Sequence, residues 1–272
     1  MELITLVDNL VYGEGLTGEH GSSFLIKTKG KTILFDTGQT NAFINNAAYL
    51  AEDLSEVDFV ILSHGHYDHC GGLEAFLALN HTATIYLKSK AFGEKMSVTD
   101  DIQRFVGFKL NKPIQDYPNT FVLLDEDTEI EEGIKIITDI HMYTHDLVDT
   151  FKFFVKDTMR LVQDPFADEL ILLIKEDQKN ILFTGCSHKG ILNILKTAYE
   201  KIQHQNIHYV FGGMHFSGEL LRHLDQYLMQ FSHFGIERIF VNHCTGIEGY
   251  FRLKIKFPQK VQYAFTGFHV EL

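Results

Sequence analysis

Short apolar runs separated by turn residues recur along the chain and predict strands that alternate with helices. The runs 22–28 and 31–35 flank Lys29 and Gly30, the pattern of a β-hairpin. Segment 41–52 has the apolar spacing of a helix. The run 59–62 is short and continuously apolar, which indicates a buried strand.

Predicted strands and helices also alternate in the rest of the chain, with one segment as an exception. Segment 88–118 mixes polar and aromatic residues without a period of two, and we interpret it as an inserted, partly helical segment that covers the site. Strands are predicted at 84–87, 121–124, 134–138, 151–155, 170–174, 180–183, 207–211, 236–241 and, last, 261–265; helices are predicted at 72–79, 190–203, 217–234 and 247–257. Mixed strands with helices on both outer faces predict one α/β domain, 1–272, of four layers.

Four potential metal ligands lie within six residues, directly after the apolar run 59–62. They are His64, His66, Asp68 and His69. Imidazole and carboxylate are ligands that zinc and iron accept. His64 and His66 are two positions apart, so an extended loop directs both side chains the same way. The pattern predicts a two-metal site, and the two glycines that follow let the backbone close around an ion; a polar loop that caps the next helix is the alternative.

More polar side chains follow other apolar runs, as the first motif does. They are Asp36, Cys186, His188, His215 and His243. Ligands at separate strand ends can be positioned by a rigid sheet, so we expect these side chains to converge with the first motif. His141 and His145, four positions apart, are interpreted as surface residues.

Composition and charge disfavour a nucleic-acid-binding protein, a membrane-spanning protein and a disulfide-rich secreted protein. The 272 residues are 45% hydrophobic with a net charge of −12, and no block of basic residues suggests nucleic-acid binding. No apolar run of about 18 residues predicts a membrane span, and the first residues do not resemble a signal peptide. Three cysteines cannot form an extracellular disulfide framework. A cytoplasmic protein with a small-molecule substrate is expected, and its oligomeric state stays open.

Taken together, these motifs resemble the metallo-β-lactamase superfamily. The resemblance is closest to the branch named for dihydropterin–ribofuranosylaminobenzene phosphate synthase. It rests on the sequences ILFDTG at 33–38, HGHYDH at 64–69, TGCSHKGI at 184–191, GGMH at 212–215 and HCTG at 243–246. It implies an αββα sandwich with the metals at one edge. It also implies that His64 and His66 bind one metal, and that Asp68, His69 and His243 bind the other.

The chain departs from the hydrolytic members of that superfamily at two ligands. Their bridging aspartate is replaced by Cys186 or lost, and their isolated histidine is replaced by segment 164–169. His188 can complete the site of His64 and His66, whereas Cys186 bridges, ligates or only packs. β-Lactamase and lactonase activities are therefore disfavoured.

Supporting roles are predicted for five side chains. Asp36 orients a ligand imidazole, or else is a turn residue that caps a helix. Asp168 and Glu169 orient ligands, or else form an exposed pair. Asp68 and His215 are the catalytic candidates: His215 contacts substrate or shuttles protons, with a satisfied buried histidine as the alternative.

These features predict a metal-dependent enzyme of hydrolase type. Two divalent ions, zinc first and iron or manganese as alternatives, lower the pKa of a bound water towards about 7. The resulting hydroxide attacks a small phosphorylated or pterin-like substrate. The resemblance also implies a transferase that joins a dihydropterin to an aryl ribose phosphate. An iron-dependent redox or metal-sensing protein, or a non-catalytic metal-binding module, is the alternative function.

Overall fold

A computed structural model describes residues 1–144, 150–216 and 218–272, apart from the side chain of Glu219. Within these residues the chain forms two compact units. The first comprises Met1–Asp125, Phe151–Asp168 and Ala264–Leu272, and the second comprises Glu126–Thr150 and Glu169–Tyr263. The prediction of a single domain stays a prediction.

The strands and helices of both units follow in chain order. The strands are β1 Glu2–Val7, β2 Ser23–Thr28, β3 Lys31–Phe35, β4 Phe59–Ile61, β5 Thr84–Leu87, β6 Lys95–Thr99, β7 Ile102–Phe105, β8 Phe121–Leu123, β9 Thr128–Glu131, β10 Ile134–Ile137, β11 Phe153–Asp157, β12 Arg160–Gln163, β13 Ile171–Glu176, β14 Lys179–Thr184, β15 Tyr209–Gly212, β16 Arg238–Val241, β17 Val261–Tyr263 and β18 His269–Glu271. The helices are α1 Ala42–Tyr49, α2 Tyr67–Cys70, α3 Leu73–Leu79, α4 Ile191–Lys201, α5 Gly218–Met229 and α6 Gly246–Lys256.

The main sheet of the first unit has the order β18-β1-β2-β3-β4-β5-β8. The β2–β3 hairpin is present as predicted, and its turn residues Lys29 and Gly30 have φ of 51° and 72°. Two such residues match a type I′ turn, which fits the twist of the flanking strands. Strands β3, β4 and β5 are parallel. Their carboxyl ends therefore share one edge of the sheet, where Asp36 follows β3 and His64 follows β4.

A second sheet of the first unit has the order β12-β11-β6-β7 and corrects the interpretation of segment 88–118. Most of that segment's regular structure is the β6–β7 hairpin, and its helical part is limited to short 3₁₀ turns at Ser89–Phe92 and Ile114–Asp116. All four residues of β7 are exposed. A strand without a buried face has no alternation for the sequence to reveal.

The sheet of the second unit has the order β17-β16-β15-β14-β13-β10-β9. Strands β14 to β17 are parallel, so the segments that carry Cys186, His215 and His243 leave the same edge. A ladder of stacked rings fixes these strands from one face. The ring of Phe211 lies 5.0 Å from that of Phe183 and 4.4 Å from that of Phe240.

Other sequence expectations need smaller corrections. The predicted last strand is β17, but β18 follows it and pairs with β1. Strands β9 and β12 are missed because both are short edge strands with little burial. The predicted helix 217–234 is observed as α5 and a 3₁₀ turn, while Ser217 and His145 lie outside the described residues. No helix among the described residues is long and apolar enough to span a membrane.

Candidate functional site

The carboxylate of Asp36 organises the metal-ligand motif of the first unit. One oxygen accepts a hydrogen bond from the Ser63 backbone N–H at 2.7 Å. The other accepts bonds from the Ser63 hydroxyl at 2.7 Å and from Nδ1 of His69 at 2.6 Å. Asp36 is fully buried and does not cap α1, which begins after Asn41. The turn-capping alternative for Asp36 is therefore wrong.

These hydrogen bonds determine which ring nitrogen of His69 and of His64 carries the proton. A carboxylate only accepts, so Nδ1 of His69 carries the proton. The Ser63 hydroxyl donates its single proton to Asp36, so at 2.9 Å it accepts from Nδ1 of His64. In its neutral form each of these rings consequently keeps the lone pair on Nε2. That is the atom a metal ion requires.

His66 is the remaining histidine of the motif, and it directs Nδ1 rather than Nε2 towards His64. Its Nδ1 lies 3.1 Å from Nε2 of His64, close to the spacing of two ligands on one zinc ion. The ring packs against Phe153 and Phe166, at 5.2 and 5.9 Å. Burial in this apolar setting lowers the pKa of His66 to about 3. Burial, followed by the charges of His69 and His66, holds the pKa of His64 well below its usual value. Both imidazoles are neutral at pH 7 and can ligate a metal.

Asp68 lies at the more exposed side of the motif. Its carboxylate lies 3.1 Å from Nε2 of the exposed His20. The neighbouring Tyr67 hydroxyl accepts a hydrogen bond from Arg104 of β7, whose guanidinium lies 5.0 Å above the Tyr67 ring. An aromatic ring, a histidine and an arginine thus stand beside a candidate metal ligand.

Gly65, between the two histidines, is held from two sides. A Cβ at this position would lie 2.0 Å from the Ala91 carbonyl, so the close approach of the two backbones requires glycine. The Gly65 N–H donates to Asp168 at 2.6 Å. Gly71 and Gly72, expected to close around an ion, have a different role: a Cβ on either would collide with backbone oxygens of segment 37–40.

Asp168 is in turn fixed by a buried lysine that the sequence did not single out. The Lys95 ammonium lies 2.9 Å from Asp168 and 2.8 Å from Asp164, and all three side chains are buried. Burial lowers the pKa of Lys95, but the charges and hydrogen bonds of Asp168 and Asp164 outweigh it and raise the pKa overall. Lys95 is therefore charged and anchors the carboxylate that holds Gly65.

Glu169 has the equivalent role in the second unit. Its two oxygens accept from the backbone N–H groups of His188 at 2.6 Å and Lys189 at 2.8 Å. Asp168 and Glu169 are both buried, so the alternative of an exposed pair is wrong. Adjacent carboxylates thus hold the backbones of two candidate ligand segments.

The second unit contains two groups of candidate ligands that share Cys186. The ligand atoms of Cys186, His188 and His215 all lie within 4.8 Å of one another. The same limit holds for Cys186, His243 and Cys244. Sulfur and nitrogen at this spacing form a donor set typical of zinc sites. Cys244 was not predicted as a ligand from the sequence, although it directly follows His243. His215 was predicted as a catalytic residue and not as a ligand.

The three cysteines differ in environment. Burial raises the pKa of Cys70 well above its usual value, and its thiol donates to the His64 carbonyl at 3.0 Å. Burial also raises the pKa of Cys244, but hydrogen bonds with Cys186 and His215 and the charge of His243 outweigh it and hold the pKa well below its usual value. Cys70 is therefore a packing residue, whereas Cys244 is not.

Backbone strain also concentrates at these positions. Asp36, Ser187, His215 and His243 all have positive φ, between 45° and 61°. Non-glycine residues in this region cost about 1–3 kcal/mol each, and such strain is commonly found at functional sites.

Comparison with known proteins identifies the family. The model of the metallo-β-lactamase superfamily matches residues 16–150. A crystal structure of a metal-dependent hydrolase of the β-lactamase superfamily is 30% identical, with a TM-score of 0.84 over 100% of this chain and 99% of that one. The chain belongs to the metallo-β-lactamase superfamily. Its predicted fold class is therefore confirmed.

Two relatives from Methanocaldococcus jannaschii match most of this superfamily member. An uncharacterized protein is 32% identical over 258 residues, which cover 91% of this chain and 92% of the relative. The 7,8-dihydropterin-6-methyl-4-(β-D-ribofuranosyl)-aminobenzene-5'-phosphate synthase is 26% identical over 262 residues, which cover 91% and 88%. The resemblance to that synthase is therefore present along most of the chain.

Replacing Asp36 tests its control of the imidazole tautomers. In Asp36→Asn, the amide can donate a proton where the carboxylate only accepts, so the tautomers of His69 and His64 are no longer fixed. Zinc affinity, measured by competition with a chromophoric chelator, should fall about 10- to 100-fold. Asp53→Asn, which removes an exposed carboxylate, is the control and should bind zinc as the wild type does. Equal affinities for all three proteins would refute this role.

The depressed pKa of His66 predicts a pH dependence for the metal-free protein. The unfolded chain binds a proton at this residue below about pH 6.5, whereas the folded protein binds it only below about 3. Between these values the unfolded state holds more protons, so the free energy of unfolding should fall as pH falls, by up to about 1.4 kcal/mol per pH unit. Urea unfolding at several pH values should give a smaller slope for His66→Asn. Parallel curves would contradict the assignment.

Lys95 should matter far more to folding than a surface lysine of the same unit. Lys95→Met leaves Asp164 and Asp168 buried without their cation, and the free energy of unfolding should fall by about 3–5 kcal/mol. Lys156→Met breaks only the exposed pair with Glu94 and should leave the free energy of unfolding almost unchanged. Chemical denaturation measures both; similar losses for the two variants would show that the buried network is not stabilising.

Proposed function

We propose that this protein is a metal-dependent enzyme that acts on a small phosphorylated or pterin-like substrate. The observation that carries the proposal is the pair of His64 Nε2 and His66 Nδ1, 3.1 Å apart and held neutral by burial. Membership of a superfamily with a metal-dependent hydrolase at 30% identity supports it.

The donor atoms of each unit fit a divalent metal. The first unit offers imidazole nitrogens and the Asp68 carboxylate, and the second offers imidazole and thiol, all ligand types that zinc accepts. We propose His64, His66, Asp68, His69, Cys186, His188 and His243 as the residues that hold two ions. That the ligands of both units serve the same ions stays a prediction. Zinc is our first candidate, and thiol ligation keeps iron as the second.

Bound metal would supply Lewis acidity and lower the pKa of a bound water. The protein's own side chains would then orient the substrate. Arg104, which lies over the Tyr67 ring, presents an exposed guanidinium whose planar donors suit a phosphate. His20, beside Asp68, and His215 in the second unit are the candidates for proton transfer.

A cavity in the first unit adds to this argument. It has a volume of about 590 Å³, and its lining includes Lys90, Lys95, Asp164 and Asp168. A space of this size suits a small organic molecule. The lining also contains apolar residues such as Val155 and Val162, so the cavity suits a molecule with both polar and apolar parts.

The reaction can be hydrolysis or group transfer. The synthase relative supports a transferase that joins a dihydropterin to an aryl ribose phosphate. The resemblance to that branch implies that pyrophosphate is the leaving group. The metal-dependent hydrolase at 30% identity supports hydrolysis of an ester or phosphoester instead. Transfer to the aryl ribose phosphate and hydrolysis of a phosphoester both place a phosphorylated substrate beside a metal, and we propose that shared class.

Metal analysis joined to two assays tests the proposal. We expect protein purified without added metal to contain zinc, and to hydrolyse a phosphoester or release pyrophosphate from the pterin and ribose phosphate pair. His64→Ala should lower metal content and turnover together, because it removes a ligand nitrogen. His81→Ala, an exposed histidine outside the motif, is the control and should change neither.

The outcomes separate the alternatives. Cys186→Ser should leave the fold intact, and full activity in that variant would exclude the thiol as a ligand. Metal without turnover in either assay would contradict the enzyme and indicate a binding module. Iron with reversible electron uptake would indicate a redox or metal-sensing protein. An unchanged metal content in His64→Ala would exclude that residue from the site.

A further inference from the structure

Two of the three thiols of the chain lie together in the second unit. Cys186 and Cys244 share a group of ligand atoms that all lie within 4.8 Å of one another. The Cys244 thiol also donates to the Cys186 carbonyl at 3.4 Å. Cys186 is buried, whereas Cys244 is partly exposed and open to small solutes. The remaining thiol, Cys70, is buried in the first unit.

The backbone around the two thiols is tied together. Gly213 N–H donates to the Gly185 carbonyl at 2.8 Å, and the Ser187 hydroxyl donates to the Gly213 carbonyl at 2.7 Å. A Cβ at Gly213 would lie 2.4 Å from the sulfur of Cys244 and 2.7 Å from the Gly185 oxygen. Only glycine leaves room for the Cys244 thiol at this place. The loops that carry the two cysteines are therefore held in a fixed, close arrangement.

We propose that Cys186 and Cys244 are a redox modification site, and that a hydroperoxide converts them reversibly into a disulfide. The disulfide withdraws the Cys186 sulfur from metal binding, so oxidation releases metal. The proposed disulfide is argued only from the positions of the two thiols. The release of metal rests on the proposed function.

The chemistry needs no oxidant other than the hydroperoxide. The sulfur of Cys244, the more exposed of the two, attacks a peroxide oxygen, and the O–O bond breaks to give a sulfenic acid and, from hydrogen peroxide, water. The Cys186 thiol then attacks the Cys244 sulfur and expels the oxygen as a second water. Two thiols lose two electrons and two protons, and one peroxide is reduced. Side-chain rotation must bring the sulfurs to a bond length of about 2.05 Å.

Peroxide treatment of the full-length, zinc-loaded protein tests the site. Thiol titration should show the loss of two thiols per chain, and peptide mapping by mass spectrometry should find a fragment that links residues 186 and 244. Zinc, followed with a chromophoric chelator, should be released in parallel. A reducing agent should restore both the thiols and the bound zinc.

Two variants provide the controls. Cys70→Ala should behave as the wild type does, because its thiol lies in the other unit. Cys244→Ala should lose the cross-link and keep its zinc during the same peroxide treatment, because the buried Cys186 no longer has the more exposed thiol that reacts first. If Cys244→Ala does not fold, mapping of the wild type against Cys70→Ala alone decides the question.

Contrary results bear on different parts of the proposal. Separate sulfinic or sulfonic acids without a linked fragment, or a link to Cys70, would overturn the modification site. A linked fragment in a protein that binds no zinc before treatment would support the site and overturn the release of metal. That second result counts against the proposed function and leaves the thiol pair intact.

Discussion

The buried carboxylate of Asp36 is the constraint on which the candidate metal site of the first unit depends. It accepts three hydrogen bonds, two from Ser63 and one from His69, at a strand end with positive φ. Through Ser63 its influence reaches His64 as well. One anion thus fixes which nitrogen of two imidazoles is protonated. Without Asp36, the tautomers of these buried histidines would be undefined. Their burial would then cost more free energy, and they would be poorly oriented to bind a cation.

Two further buried carboxylates, those of Asp168 and Glu169, fix the backbone beside candidate ligands in the way that Asp36 fixes their side chains. Asp168 holds Gly65 between two candidate ligands, and Glu169 holds the N–H groups of His188 and Lys189. Lys95 neutralises part of this buried charge. Segment 164–169, which the family resemblance places where hydrolytic members carry an isolated histidine, thus supplies anchors for two candidate ligand segments.

Much of the fold and part of the site could be predicted from the sequence because their signals are local. The β2–β3 hairpin, β4 and the spacing of His64 to His69 are read directly from neighbouring residues. The β6–β7 hairpin was missed because β7 is exposed throughout and the one fully buried residue of β6 is Lys95, so neither strand shows an apolar alternation. Lys95 was missed because its partners, Asp164 and Asp168, are distant in sequence, and no local pattern marks a lysine as buried. The position of Cys244 beside Cys186 likewise depends on parallel strands that only the structure aligns.

Nitrogen NMR of the histidine rings in the metal-free protein shows whether Asp36 sets the tautomers of His64 and His69. Long-range proton–nitrogen correlations report which ring nitrogen of each histidine carries the proton. The account predicts the Nδ1–H form for both His64 and His69, with zinc then shifting the Nε2 resonance of each. An Nε2–H form at either residue, or zinc binding that leaves both Nε2 resonances unmoved, would contradict it.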